Sequence, residues 1–206
     1  FQTSTTFTTP TVAVNAFKRT QTLDDLFVSV FQPNASLHWP GNLKKYRVND
    51  GVIMDNSNPP KPAVDPSTGF FADNARSFWT SVNDGSDVKE GGAAGRLPDP
   101  DNRKLYTYLG ANPTSPVNLS IGNDNKVHTD NAGLTDAVLT LGAPGDPTRT
   151  ELINWARGED VRNEDGDPST TVRRSMGDPI HSPPAVVIYG GTPSSPDIND
   201  AVVYVA

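Results

Sequence analysis

The segment Leu43-Lys-Lys-Tyr-Arg-Val48, Asn49-Asp-Gly51, Val52-Ile-Met54 predicts a β-hairpin, and with it a mainly β fold. An Asp-Gly pair readily adopts the positive φ angles that a tight hairpin turn requires. Apolar and polar residues alternate along the first arm, which is the period of a strand with one buried side. We expect the side that carries Tyr46 and Val48 to be buried.

Four further segments outside this hairpin have the composition of strands. Residues 12–17 alternate, residues 26–31 are apolar and β-branched, and we expect these two segments to pair. Residues 103–109 alternate aromatic side chains, and residues 201–206 form an apolar run. The chain also contains 19 Pro and 17 Gly among its 206 residues, which indicates long irregular loops between the strands.

One helix is strongly marked in the sequence. Thr148 and Glu151 have the spacing of a capping box, and Gly158 is suited to end the helix. Trp155 lies on the predicted apolar stripe, so we expect it in the core. A second, shorter helix is predicted over residues 75–79. The expected fold is therefore mainly β, with long irregular loops and one or two short helices.

The composition excludes several functional classes. The formal net charge of -7 and the lack of a basic stripe argue against nucleic acid as a partner. No apolar run approaches the length of a membrane-spanning helix, so we expect no membrane insertion. Cysteine is absent, which excludes disulfides, thiol catalysis and cysteine-ligated metals.

An acidic loop follows the helix, Gly158-Glu-Asp-Val-Arg-Asn-Glu-Asp-Gly-Asp-Pro168. Carboxylates at alternating positions, with Gly166 to turn the chain, partly satisfy the requirements of a calcium loop. The register is imperfect, because the first position of an EF-hand would fall on Val161. A solvated acidic connector is the alternative. The candidate calcium ligands are Asp160, Asn163, Asp165 and Asp167.

No other motif predicts catalysis. His38, His128 and His181 are scattered, without metal-ligand spacing. His181 and Ser182 are adjacent and no Gly-x-Ser-x-Gly elbow exists, so a serine hydrolase site is not expected. The segment Asn83-Asp-Gly-Ser-Asp87 reads as a turn stabilised by its own side chains. The Gly91–Gly95 run is expected to be flexible. It is not a phosphate loop, because it lacks the following lysine and the preceding strand.

Several motifs together resemble one protein family, the PilY family (also called PilC), which comprises tip-associated proteins of bacterial type IV pili. The resemblance covers about residues 10–206. It depends on the order and spacing of these motifs: Trp39-Pro-Gly-Asn-Leu-Lys-Lys-Tyr-Arg-Val48, Gly69-Phe-Phe71, Ala75 with Trp79, Asp84-Gly85 with Glu90-Gly-Gly-Ala-Ala94, Asn154-Trp-Ala-Arg-Gly158, Glu164-Asp-Gly-Asp167 and Met176-Gly-Asp-Pro-Ile-His-Ser182.

The resemblance implies a segment that leads into a C-terminal β-propeller. Residues 1–11 would be an extended lead-in, residues 12–190 a β-rich irregular domain, and residues 191–206 the first, truncated propeller strand. We therefore expect the chain to be a piece of a larger polypeptide. Family members bind calcium in a propeller loop outside this chain, so that site is not carried over.

The function implied by the resemblance is non-catalytic. It comprises pilus assembly, control of pilus retraction and surface adhesion. The expected location is the cell surface or the extracellular pilus tip, associated with the outer membrane and reached through the periplasm. Expected partners are minor pilins or other pilus components, the remaining domains of the same polypeptide, and a host or abiotic surface.

Two alternatives stay open from the sequence. The first is a secreted carbohydrate-binding or carbohydrate-active module, in which the acidic loop and exposed tryptophans form a sugar site. Trp39, Trp79 and Trp155 are the residues able to stack on a sugar, although tryptophans are more often core or anchor residues. The second alternative is a structural component of an extracellular filament.

Overall fold

The computed structural model describes residues 6–7, 11–14, 22–33, 35, 39–110, 118, 125–164, 166–177, 184–192 and 194–205. The chain forms two compact units. Unit 1 comprises Phe1–Arg96 and Ser175–Ala206, and unit 2 comprises Leu97–Arg174. The named strands lie in unit 1 and the α-helix lies in unit 2. The division of the chain at residues 11 and 190 stays a prediction.

Unit 1 is built from antiparallel strands, and the mainly β fold class is thereby confirmed. One sheet has the order β1-β3-β4-β5, with β2 also paired to β3 and β6 to β4; β7 and β8 form a separate two-stranded sheet. The strands are β1 (Thr6–Phe7), β2 (Thr11–Val14), β3 (Thr22–Phe31), β4 (Pro40–Asn49), β5 (Val52–Met54), β6 (Met176–Gly177), β7 (Ala185–Thr192) and β8 (Ser195–Tyr204).

The predicted hairpin is confirmed as β4 and β5. Asp50 and Gly51 form its turn with φ angles of 49° and 78°, as the Asp-Gly pair requires. Tyr46 is fully buried and Val48 partly buried, so the predicted inner side is also confirmed. The pairing of β2 with β3 confirms the predicted contact between the first two strand segments.

The strand β3 is buried on both faces, which explains why its apolar run is continuous rather than alternating. On one face, Leu26, Val28 and Val30 pack against β4 and the following loops. The ring of Tyr46 stacks there on Phe71, with centroids 4.4 Å apart and planes 13° apart. This face therefore forms the main core of unit 1.

The second face of the sheet is covered by the β7–β8 hairpin. Phe27 and Leu43 are buried there, and Val186 and Val203 pack against them. Trp79 completes the cluster, its ring centroid lying 5.8 Å from that of Phe27. The apolar run near the end of the chain therefore belongs to β8, which pairs with β7. Together the two strands cover this face of the sheet.

The helix α1 of unit 2 spans Arg149–Arg157, close to its predicted limits. The Thr148 side chain accepts from the Glu151 backbone, and the Glu151 side chain accepts from Thr148, which completes the capping box. Gly158 ends the helix in the left-handed conformation with φ 96°. Both predicted helix signals are confirmed.

The predicted buried face of this helix is wrong. Ile153 and Arg157 are its buried residues, whereas Trp155 is 36% exposed. The helix is held in unit 2 by burial of Ile153 and by arginines that donate to backbone carbonyls. Arg149 donates to the carbonyls of residues 129, 131 and 134, and Arg157 donates to that of Pro100. An apolar stripe is not needed for that attachment.

Two further predicted elements are wrong. Residues 75–79 are irregular, with a turn at 78–79, rather than a helix. The Ser77 N–H donates to the Asp84 carboxylate and the Phe78 N–H donates to the Lys45 carbonyl, and these bonds attach the segment to β4 and to the Asp84 loop. Residues 103–109 make only an isolated bridge, at Tyr106, instead of a strand. In the described ranges, no helix is long and apolar enough to cross a membrane.

Candidate functional site

The acidic loop of unit 2 is closed at its base by backbone hydrogen bonds. The Asp160 N–H donates to Thr171 at 3.0 Å, and the Arg173 N–H donates to Gly158 at 2.7 Å. The Glu159 N–H donates back to the helix carbonyl of Asn154 at 2.9 Å. These bonds hold the two ends of the loop next to each other, directly after the end of α1.

The candidate calcium ligands make local turn contacts where the structure describes them. The Asp160 carboxylate accepts from the Glu164 N–H at 2.7 Å. The Asp167 carboxylate accepts from the N–H and hydroxyl of Ser169 at 2.9 and 2.7 Å. Asn163 adopts a positive φ of 51° and accepts from Gly166 through its backbone.

Carboxylate and amide oxygens are the ligands that calcium prefers, so the chemistry of this loop fits the ion. In the part of the chain that the structure describes, no three carboxylate or histidine side chains converge as a metal-binding group. Asp165 lies outside the described residues. Calcium binding by Asp160, Asn163, Asp165 and Asp167 stays a prediction.

Trp155 links the helix to this loop. Its indole N–H donates to Glu164 at 2.5 Å, and the Arg173 guanidinium lies 4.1 Å from its ring centroid. Arg173 also donates to the Trp155 carbonyl at 2.6 Å. A partly exposed indole held between a carboxylate and a guanidinium presents both a stacking surface and polar groups.

The other two tryptophans are anchored within unit 1. Trp79 belongs to the second core cluster, and Trp39 stacks on Phe31 with planes 8° apart and centroids 6.2 Å apart. Their ring faces are therefore used in packing. Of the three sugar-stacking candidates, Trp155 is exposed, whereas Trp39 and Trp79 are partly buried.

A buried polar network in unit 1 was not predicted from the sequence. It comprises Asn42, Lys44, Ser77 and Asp84, each at most 1% exposed. Asn42 and Lys44 lie on β4 opposite Val30 and Val28 of β3. The network therefore sits on the core face of the sheet, where unsatisfied polar groups are costly.

Asn42 connects β4 to the loop that follows Asp87. Its amide donates to the carbonyls of Val88 and Gly91 at 3.0 and 3.1 Å. Its side-chain oxygen accepts from the N–H groups of Leu43 and Ala94 at 2.8 and 3.0 Å. One side chain thus satisfies four buried backbone groups, which fixes the path of the loop.

Lys44 and Asp84 form a buried ion pair, with Nζ and Oδ2 3.4 Å apart. The ammonium group also donates to the backbone carbonyls of Asp84 and Asp87. Ser77 donates to both oxygens of the Asp84 carboxylate, each at 2.7 Å. Burial lowers the pKa of Lys44, and the neighbouring carboxylate opposes that effect.

The glycine run after this loop is anchored, contrary to the expectation of flexibility. Gly91 and Gly92 have φ angles of 61° and 56°. A Cβ at Gly91 would lie 2.3 Å from Asp84 Oδ2, and one at Gly92 would lie 2.6 Å from Asn42 Oδ1. Glycine is therefore required for the backbone to cover the network so closely.

Asp55 forms a second buried centre in unit 1. Its carboxylate accepts from Ser57, Lys61 and Arg76, using the Ser57 hydroxyl and three backbone N–H groups. Burial alone raises its pKa, but these hydrogen bonds together hold the pKa below its ordinary value. The arrangement fixes the proline-rich loop after β5. Asp55 is bonded to Ser57 and Lys61, two and six positions later, and to Arg76, 21 positions later.

The network around Asn42 was not predicted because its partners are far apart in the chain. Asn42 and Ala94 are separated by 52 positions, and no local spacing marks the pair. Asn42 stands among other polar residues in β4, so its residue type alone does not mark it. His128 contacts Asp130 at 3.3 Å, while His38 and His181 lie outside the described residues.

Comparison of the chain with protein-family models, with curated proteins and with solved structures gave no match in any of the three.

Proposed function

We propose that this chain is a non-catalytic part of a type IV pilus tip protein that acts in pilus assembly, retraction control and surface adhesion. One observation supports the proposal above others. Three motifs that carry the PilY resemblance meet in the buried polar network: Trp39–Val48 supplies Asn42 and Lys44, Asp84-Gly85 supplies the carboxylate, and Glu90–Ala94 supplies the covering glycines. Motifs 40 to 50 residues apart thus share one physical role.

The proposed partners are minor pilins, other pilus components and the remaining domains of the same polypeptide, together with a host or abiotic surface. The chain carries a net charge of -7, so we expect contacts with basic patches on those partners. The proposed location is the pilus tip at the cell surface, reached through the periplasm.

The test is direct binding of the purified chain to purified minor pilins by biolayer interferometry, over a series of salt concentrations. We expect binding that weakens as salt rises, since exposed charges are screened. Absence of binding to every minor pilin and to intact pili at low salt would contradict the proposal.

A matched pair of charge reversals locates the contact. Asp24 is exposed in unit 1, and Asp136 is exposed in unit 2. A contact made by unit 1 is weakened more by Asp24→Lys than by Asp136→Lys, and a contact made by unit 2 shows the reverse order. If neither reversal changes the binding and salt does not weaken it, the contact does not depend on the negative charge of the chain.

A carbohydrate-binding module is the second candidate, and the exposed Trp155 favours it. The indole lies beside the Glu164 carboxylate and the Arg173 guanidinium, an arrangement suited to stacking and hydrogen bonding with a sugar. Glycan-array binding that Trp155→Ala abolishes, and that Trp79→Phe does not, would support this candidate over the first. The remaining alternative is a structural component of an extracellular filament. Assembly of the purified chain into filaments would support it.

A further inference from the structure

The Lys44–Asp84 pair places an ammonium group beside a carboxylate in the core of unit 1. Its two side chains are 1% and 0% exposed, and Nζ lies 3.4 Å from Oδ2. The backbone of Gly91 lies so close to Oδ2 that a Cβ there would be 2.3 Å away, which leaves no room for water on that side. The nitrogen and the carboxyl group are therefore held together without solvent between them.

Burial disfavours the charged form of the Lys44 side chain. Taking two charges out of water is costly, and amide formation removes both charges at once. Burial lowers the pKa of Lys44, so the amine is easier to form there than in water. A neutral amine is the nucleophilic form of lysine.

Ser77 supplies the donors that acyl transfer to this carboxyl group needs. Its backbone N–H donates to Asp84 Oδ1 at 2.7 Å, where negative charge develops when Cγ is attacked. Its hydroxyl donates to Oδ2 at 2.7 Å, the oxygen that leaves. Lys44 Nζ is held near the carboxyl group by the backbone carbonyls of Asp84 and Asp87.

We propose that Lys44 and Asp84 condense to an intramolecular isopeptide bond. A proton passes from the Lys44 ammonium to the Asp84 carboxylate, and the resulting amine attacks Cγ. The Nζ–Cγ bond forms and the Cγ–Oδ2 bond breaks. Both protons lost by nitrogen leave on Oδ2 as one water molecule, and the amide retains one N–H. No oxidant, reductant or other reactant is required.

The bond would join β4 to a loop 40 positions later in the chain. A covalent link that closes a loop of this length restricts the unfolded chain, as a disulfide does. This chain has no cysteine, so a disulfide is not available to it. The link would therefore act as a redox-independent clamp on the core face of the sheet.

The test is intact-mass spectrometry of the purified chain after denaturation. We expect a mass lower than that of the sequence by one water, about 18 Da. Protease digestion should release one branched peptide that contains both Lys44 and Asp84. A chain with the full sequence mass would overturn the proposal and leave the pair as a salt bridge.

Three variants distinguish the link from other losses of water. Lys44→Arg should restore the full mass, whereas Lys45→Arg, a change on the opposite side of β4, should keep the deficit. Asp84→Asn should lose ammonia instead, about 17 Da. If Lys44→Arg does not fold, the branched peptide of the unsubstituted chain still decides the question.

A succinimide at Asp84-Gly85 would give the same mass loss and must be separated from the link. A succinimide reacts with hydroxylamine and regains water at alkaline pH, while an isopeptide bond is unchanged by both treatments. A deficit that hydroxylamine removes, or one that persists in Lys44→Arg, would overturn the proposal.

Discussion

Replacing Asn42 by alanine is expected to destabilise unit 1 much more than a surface substitution does. The side chain is 0% exposed and makes four hydrogen bonds of 3.1 Å or less to backbone groups. Alanine satisfies none of them. The carbonyls of Val88 and Gly91 and the N–H groups of Leu43 and Ala94 would remain in the same buried place without this partner.

The magnitude follows from these contacts. A net contribution of about 1 kcal/mol per hydrogen bond gives a loss of about 4 kcal/mol in the free energy of unfolding. That is a large fraction of the roughly 5–15 kcal/mol that stabilises a typical protein. Asn42→Asp should cost a similar amount, because its carboxylate keeps the two acceptor contacts but faces two carbonyl oxygens without a donor.

The assay is urea unfolding followed by tryptophan fluorescence in a Trp155→Phe background. The remaining fluorophores, Trp39 and Trp79, both belong to unit 1, so the signal reports that unit. Asn49→Ala is the matched control, since Asn49 lies on the same strand but is exposed, and a change within about 0.5 kcal/mol is expected. A loss below about 1.5 kcal/mol for Asn42→Ala would refute the assigned role of the network.

Three further predictions concern glycine, pH and calcium. Gly91→Ala should destabilise unit 1 by more than about 2 kcal/mol through its positive φ and its close approach to a buried carboxylate, whereas Gly95→Ala, with open space around it, should be neutral in the same urea assay. The lowered pKa of Asp55 means that its folded state favours the carboxylate, so its contribution is present above the unfolded pKa of about 3.9 and is lost as pH falls below it. In a plot of the urea midpoint against pH, Asp55→Asn should therefore reduce the fall of the midpoint at acid pH. An unchanged fall would mean that other groups cause the acid sensitivity. Calcium should raise the melting temperature relative to chelator, and Asp165→Ala should remove the difference; equal melting in both solutions would make the loop a solvated connector.

The elements predicted correctly are those specified by neighbours in sequence. Asp50-Gly51 determines the β4–β5 turn, and Thr148 with Glu151 determines the start of α1. Each signal operates within a few residues, so the rest of the fold is not needed to read it. The same holds for Gly158, which ends the helix by its own left-handed conformation.

The elements predicted wrongly were decided by distant partners. Residues 75–79 were predicted as a short helix, but Phe78 is bonded to Lys45 of β4 and Ser77 to Asp84. Trp155 lies on an apolar stripe in sequence, yet the helix is attached through Arg149 and Arg157. Lys44 lies on the predicted inner side of β4 with Tyr46, but the hydropathy pattern does not indicate that a loop supplies acceptors for its ammonium group.

Several of the motifs that carry the resemblance have structural roles in the residues that the structure describes. Phe71 stacks on Tyr46 in the core, and Gly158 ends α1 with the Arg103 guanidinium so close that a Cβ would clash with it. Residues of this kind specify a framework, while binding specificity depends on the exposed residues that the framework presents.

The two kinds of residue therefore support different conclusions. Under the proposed assignment, the fold and the general setting of the PilY proteins would carry over to this chain. The partner must be decided at exposed side chains such as Tyr189 and Tyr204, whose hydroxyls are 2.6 Å apart on the β7–β8 hairpin, and Trp155 beside the acidic loop. Two proteins with the same buried network but different side chains at these positions would fold alike and bind different surfaces.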